Sequence, residues 1–342
     1  MEQNRPSNKT SSHKQYNSNK AIMRTLVTGG AGFIGSHLVD KLMNEGYHVT
    51  VLDNFTSGTV ENIKQWLNHP RFKLIKGDLR NPETAIQAVK NIDIVFHLAA
   101  NPEVRISSQD PQKIYENNIT TTFNLLEAMK KHKVKHIVFT SSSSTVYGEA
   151  KIIPTPENYA PLAPISIYGA SKLACEALIT AYAHTFKIKG LILRLANIVG
   201  ARSNHGVIYD FINKLKRNPK KLEILGDGTQ QKSYLHVKDC TNAIIHLNEV
   251  FTKEDKLHDI YNIGSEDWIT VKEIADIIVE ELGLKNVEYH FTGGVDGGRG
   301  WPGDVKIMLL DITKAKSKGW KPATNSRETV KQATKELLNH TN

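Results

Sequence analysis

From Arg24 onward, short apolar runs alternate with longer stretches whose apolar residues recur every three to four positions. Residues 24–28 form a β-rich run that ends in glycines. Residues 33–45 then place Phe33, Ile34, Leu38, Leu42 and Met43 on one helical face. Further strands are predicted at 48–52, 72–76, 93–98, 137–140 and 191–195, and long helices at about 111–131 and 166–186. Strands alternating with helices of this length predict right-handed crossovers, hence an α/β fold with a doubly wound parallel sheet. After Leu195 the rhythm breaks into turns, a strand-like piece at 222–225 and helices at 271–282 and 327–338. That change predicts a smaller α/β substrate domain at the carboxyl ends of the strands, where open α/β sheets bind ligands. The expected division is 1–20, 21–195 and 196–342, with some of the last part returning to the sheet near 234–250.

Residues 1–20 are Ser, Asn, Lys and Gln with almost nothing apolar, so a flexible tail is expected there. They hold no apolar core of a secretory signal, and no later stretch is long and apolar enough to span a membrane. The expectation is a cytoplasmic protein with no membrane partner. Of the 342 residues 39% are hydrophobic, which supports a large buried core without covalent staples. The two cysteines, Cys175 and Cys240, exclude a disulfide scaffold and a four-cysteine zinc site. Both lie in helical stretches and are expected as buried free thiols; no metal is expected. The net charge of +9 suits anionic small molecules. No basic-aromatic stripe accompanies it, so nucleic acid is not an expected partner.

The first strand runs into Gly29-Gly30-Ala31-Gly32-Phe33-Ile34-Gly35. Small residues let the backbone turn tightly against a pyrophosphate, and the helix that follows offers free N–H groups and a positive dipole end. Asp53 ends the second strand, 18 residues beyond Gly35. A carboxylate there accepts both hydroxyls of an adenosine ribose and repels a 2′-phosphate, which favours NAD over NADP. Asp78 closes the third strand and meets the adenine side with Leu79. Leu98, Ala99 and Ala100 leave room for a cofactor across the sheet edge. Tyr168 and Lys172 stand four apart on a helix and share a face. Tyrosine is a poor base in water, and a nearby ammonium moves it toward useful pH. The serine run 141–144 lies upstream and supplies a hydroxyl to share the substrate proton.

These motifs, with Asn54, Asn117-Asn118, Arg194-Leu195-Ala196-Asn197 and Tyr234–Asp239, resemble the extended short-chain dehydrogenase/reductase family. The likeness is greatest to nucleotide-sugar epimerases of the UDP-glucose 4-epimerase type, and it covers the chain from Met23 onward. It implies a Rossmann domain holding NAD and an outer domain holding a UDP-sugar. By this resemblance Tyr168 is the catalytic base, Lys172 lowers its pKa and holds the nicotinamide ribose, and a serine is their partner. Counting back from Tyr147 gives Ser143; counting forward from Phe139 gives Ser142. Ser143 is the expectation and Ser142 the alternative. Asn117 matches a cofactor-site asparagine, and Asn197 one whose amide meets the substrate diphosphate. Lys232 stands where many relatives have arginine, and can neutralise phosphate without a bidentate fork. Arg299 and Asp304 resemble an Arg-x-Gly-Asp segment that touches diphosphate and uridine ribose, with the arginine two residues farther out. Met308 falls where relatives place a residue that sets room for the C2 substituent.

The implied reaction is epimerisation at C4 through a transient 4-keto sugar, UDP-glucose/UDP-galactose being the expected pair. UDP-N-acetylglucosamine and UDP-glucuronate stay open as alternatives, as do dehydratase and reductase chemistry. Related 4,6-dehydratases usually carry Asp-Glu, and decarboxylases a glutamate, where this chain has Ser144-Thr145. A fold kept for RNA binding is the alternative of another class, and it has no use for the Tyr168–Lys172 pair. The resemblance also implies a homodimer through the two long helices.

Overall fold

The computed structural model describes residues 23–105 and 109–340; the tail expected over 1–20 lies outside these. In chain order the first half reads β1 (Arg24–Thr28), α1 (Phe33–Asn44), β2 (His48–Asp53), β3 (Phe72–Lys76), α2 (Pro82–Ala88), β4 (Ile94–His97), α3 (Pro111–Ile114), α4 (Thr121–His132), β5 (His136–Ser142), α5 (Ser143–Tyr147), α6 (Ile167–Phe186) and β6 (Lys189–Leu195). The second half continues with β7 (Asn197–Val199), α7 (Val207–Arg217), β8 (Lys221–Ile224), β9 (Gln231–Lys232), β10 (Tyr234–His236), α8 (Val237–Lys253), β11 (His258–Ile263), β12 (Ile269–Thr270), α9 (Val271–Glu281), β13 (Glu288–Phe291), β14 (Ile307–Met308), α10 (Thr313–Ser317) and α11 (Ser326–His340).

Among the described residues, seven strands form one parallel sheet in the order β11-β6-β5-β4-β1-β2-β3. Side chains alternate across it with period two. Val27, Phe96, Val138, Leu191 and Leu193 share a core with α1 and α8. Their chain neighbours Leu26, Val95, Ile137, Phe139 and Ile192 share another with α2, α4 and α6. Both faces are therefore buried, as a parallel sheet requires. A third core joins α7, α9 and α11 through Ile208, Phe211, Ile274, Ile278 and Val330. This outer layer stands over the carboxyl edge of the sheet. Strand order reverses between β1 and β4, and the crevice between them opens under it.

Two features differ from the sequence-based expectation. The helix expected over 111–131 is broken by a π-helical turn, Tyr115–Thr120. There the hydroxyls of Thr121 and Thr122 donate to the carbonyls of Asn117 and Asn118, each at 2.7 Å, and satisfy groups the wider turn leaves free. The return to the sheet also runs beyond 234–250: α8 packs on the α1 side, and β11 carries the sheet through Ile263. Both cysteines are free and buried, as expected. Among the described residues no helix is long and apolar enough to cross a membrane.

Candidate active site

A cavity of about 770 Å³ runs along the carboxyl edge of the sheet, from the glycine turn to the outer layer. It brings together nearly every predicted site residue. Gly29, Gly32, Phe33, Ile34, Gly35, Asp53, Asn54, Asp78, Leu79, Leu98, Ala99, Ala100 and Asn117 line one wall. Tyr168, Lys172 and Ser142 stand at the middle, and Asn197, Lys232 and Asp304 on the far side. Ser143, Arg299 and Met308 do not line it.

The glycine turn is shaped by backbone approach. A Cβ on Gly29, which has φ +69°, would lie 2.8 Å from the Ala99 nitrogen, and one on Gly35 would lie 2.1 Å from the Gly29 carbonyl oxygen. Gly32 then caps α1 without a side-chain bond, so the helix N-terminus faces the cavity unobstructed. Asp53 accepts from the Ala31 N–H at 2.9 Å and the Phe55 N–H at 2.8 Å, one through each carboxyl oxygen. Burial raises its pKa and these N–H groups oppose the rise. Each oxygen keeps lone-pair capacity for a ribose hydroxyl. Arg80 clamps Asp78 at 2.9 Å and holds its carboxyl down to about 2, with Asn54 donating at 3.1 Å. Cradle, free helix end and buried carboxylate together fit a dinucleotide without a 2′-phosphate. Among the described residues no group of three or more His, Cys, Asp or Glu could hold a metal.

At the centre, the Tyr168 phenol and the Ser142 hydroxyl both line the cavity, close enough for the serine to act on the phenol's pKa. Burial pushes the phenol above the ordinary range, and Ser142 pulls it back. Ser142 is the last residue of β5, so strand alternation aims it opposite to Ser141, whose hydroxyl donates to Glu176 at 2.5 Å. Ser143 opens α5 and turns inward, buried and without a partner for its hydroxyl. The geometry therefore favours the alternative serine over the expected one. Lys172 lines the cavity beside Tyr168. Its ammonium donates to the Thr140 carbonyl at 2.9 Å and lies 4.7 Å from the Phe139 ring centre. Burial brings it down to about 8, opposed by Cys175 and Glu176.

Behind the cavity wall runs a buried polar chain that pattern reading missed. His97 bonds Thr28 at 2.7 Å and Thr122 at 3.0 Å. Thr122 donates to the Asn118 carbonyl, so its oxygen accepts from the imidazole Nε2–H, and Thr28 donates to Nδ1. Burial, with Lys172 beside it, pushes His97 down to about 3, so the ring stays neutral. Asn118 donates to Ser171 at 2.8 Å and accepts from the Asn101 N–H at 2.8 Å. The chain thus ties β1, β4, the π-helical turn and α6 into one frame. Beneath it Arg194 and Glu176 form a buried pair at 2.7 Å. Asn118 and Arg194 were visible in motifs; their burial was not.

On the far wall Lys232 pairs with Asp304 at 2.5 Å, and Trp301 lies within 5.7 Å of the Lys232 ammonium. Asn197 donates to the Ser233 carbonyl at 3.3 Å. Arg299 instead pairs with Glu149 at 2.7 Å, because Trp301 and Pro302 occupy the turn leading to Asp304 and leave the arginine outside. Met308 sits in the hydrophobic core beside Leu310 and Ile263, since β14 pairs with β9 and turns it away from the cavity. Val305 and Trp301 form the wall in its place.

Residues 25–264 match the model of the NAD dependent epimerase/dehydratase family. A crystal structure of a UDP-galactose 4-epimerase is 44% identical, with a TM-score of 0.83, over 93% of this chain and 99% of that one. The UDP-glucose 4-epimerase of Thermotoga maritima, solved with UDP-glucose, is 34% identical with a TM-score of 0.82, over 94% and 100%. UDP-glucuronic acid decarboxylase 5 of Arabidopsis thaliana is 35% identical over 315 residues, 90% of this chain and 86% of that protein.

Proposed function

We propose, from the premise that this chain belongs to the NAD-dependent epimerase/dehydratase family, that it epimerises a UDP-sugar at C4. UDP-glucose and UDP-galactose are the pair we assign. The observation that carries this reading is the half-buried Tyr168 and Ser142, which line the cavity where the dinucleotide wall meets the far wall, with Ser144-Thr145 beside them.

When bound, NAD supplies a hydride acceptor and donor for C4 and a positive charge near Tyr168. The glycine turn and Asp53 would hold its pyrophosphate and adenosine ribose. Tyr168 takes the proton from the sugar 4-hydroxyl, and Ser142 bonds the same oxygen, so the proton has a fixed path in both directions. Lys172 keeps a cation on the catalytic helix. Lys232 and Asn197 face the substrate diphosphate, and Asp304, paired to Lys232, fixes that ammonium in place. Anchoring at the diphosphate leaves the sugar free to turn and present its other face. Dehydration or decarboxylation would need an acid or base at 144–145, and Ser and Thr cannot serve as one at neutral pH. This separates the reading from the decarboxylase relative.

The test is incubation with a panel of UDP-sugars and NMR of the products. The C4 epimer, at equilibrium and without accumulating NADH, is expected. A decarboxylated or dehydrated sugar, or NADH in step with substrate, would overturn the assignment. We also assign a homodimer built on α4 and α6, supported by the exposed apolar side chains Tyr115, Phe123 and Phe186. The cytoplasm is the compartment this reading expects, consistent with two unpaired thiols.

A further inference from the structure

Residues 200–206 connect β7 to α7 and line the cavity through Gly200, Ser203, Asn204, His205 and Gly206. The Ala201 residue is gripped at both ends. Its N–H donates to Glu336 Oε2 on α11 at 3.0 Å, and its carbonyl accepts from His37 Nε2 on α1 at 3.0 Å. Glu336 is itself fixed: the same oxygen accepts from His236 Nε2 at 3.0 Å. That direction follows because His236 Nδ1 already accepts from the Lys238 N–H at 3.2 Å, which leaves the ring proton on Nε2. Gln332 donates to the other carboxyl oxygen at 3.0 Å.

The next residue is anchored as firmly. Arg202 pairs with Asp40 on α1 at 2.8 Å and donates to Ser36 at 3.2 Å. It does so with φ +66°, a conformation that a non-glycine residue holds only when its surroundings fix it. Asn204 donates to the Ser57 carbonyl at 3.3 Å, in the segment that follows Asp53 and Asn54. Ser36, His37 and Asp40 occupy the first turns of α1, directly behind the glycine cradle. The segment thus runs along the cavity from β7 into α7, tied to α11 at one point and to two elements of the dinucleotide wall at the others.

We propose that residues 200–206 form a latch over the dinucleotide, fastened by Glu336, His37 and Arg202 as positioning residues. Its task is cofactor retention. This rests on the epimerase reading, in which the cofactor ends each turnover as it began and release would serve no step. Sugar binding is the alternative role of the same segment, since it lies between both walls. The contacts weigh for the first: apart from the Ala201–Glu336 bond to α11, they go to α1 and the Ser57 segment, on the dinucleotide side.

The test compares wild type with Glu336→Ala, Arg202→Ala and Glu336→Gln. Gln keeps an acceptor for the Ala201 N–H and is the conservative rescue. Each protein is purified, its bound NAD quantified after gel filtration, and NAD release timed by dilution. Both alanine variants are expected to release NAD about tenfold faster, equivalent to about 1.4 kcal/mol, with Glu336→Gln between them and wild type. At saturating added NAD the sugar KM should match wild type. Should Glu336→Ala fail to fold, Arg202→Ala, at a partly exposed pair, carries the same comparison. Wild-type release rates in the variants would overturn the latch. So would a raised sugar KM with NAD retained. A wild type that binds NAD and retains it, yet epimerises no sugar, would sink the activity assignment and leave the latch standing.

Discussion

In the proposed reaction the hydroxyl of Ser142 and the phenol of Tyr168 are the two groups on which the chemistry converges, and a single position in the serine run decides which serine takes part. Replacing Tyr168 by Phe should lower kcat by roughly 10²–10⁴-fold, the usual contribution of a general acid–base group, with NAD content unchanged. Ser142→Ala should lower kcat in the same direction, whereas Ser143→Ala should leave kcat near wild type. Steady-state kinetics on the two serine variants checks this, and the reverse ranking would restore Ser143. Tyr168, Lys172, Asp53 and the glycines were legible because chemistry needs those residue types at those spacings. The serine was not, because the length of β5 sets it, and four consecutive serines carry no period to read. Met308 misled for a similar reason: counting from Gly303-Asp304 gives a position, but the pairing of β14 with β9 decides where the side chain goes.

At the scale of elements, the glycine turn and α11 make opposite demands on the chain. The turn needs side chains removed. Gly35→Ala would place a methyl 2.1 Å from the Gly29 carbonyl oxygen, so backbone must move. Overpacking of this kind costs about 1–3 kcal/mol, and the expected outcome is a lower Tm and a several-fold weaker grip on NAD, measured by melting and titration. Helix α11 needs its charge kept. His236 and Gln332 hold the Glu336 carboxyl down to about 2, against burial and an ordinary value of 4.5. A depressed carboxyl stabilises the fold above its ordinary pKa, and that stability is lost as pH falls toward about 2. Between those values the Tm of Glu336→Gln should therefore fall less steeply with pH than that of wild type, as melting scans would show. Elements with strong apolar period, such as α1 and β1, were readable almost to the residue. Strand β11 was not. It opens with His258-Asp259, and Asp259 is tolerated only because Lys256 and Lys314 reach it at 2.9 and 2.5 Å, partners that no local pattern reveals.

For the whole molecule, the doubly wound architecture followed from the alternation of strand and helix periods alone. The way the outer layer locks onto it did not, since that depends on contacts between segments more than a hundred residues apart, as between Ala201 and Glu336. Assembly belongs to this scale too. With Tyr115 and Phe123 exposed on one surface, light scattering should give twice the 38.3 kDa chain mass, and Phe123→Glu should shift it toward a single chain. A wild type that scatters as one chain would retire the dimer.

The position of β11 at the edge of the large sheet bears on how the protein is born. It hydrogen-bonds β6 along its full length, yet the ribosome makes it only after α7 and α8 have been synthesised. The nucleotide-binding half therefore cannot finish folding while it is the sole part outside the tunnel, unlike a domain that matures as soon as it is synthesised. For the same reason a protease that nicks the chain at residues 204–206 should free no fragment: the pieces would travel together through a column and part only in denaturant.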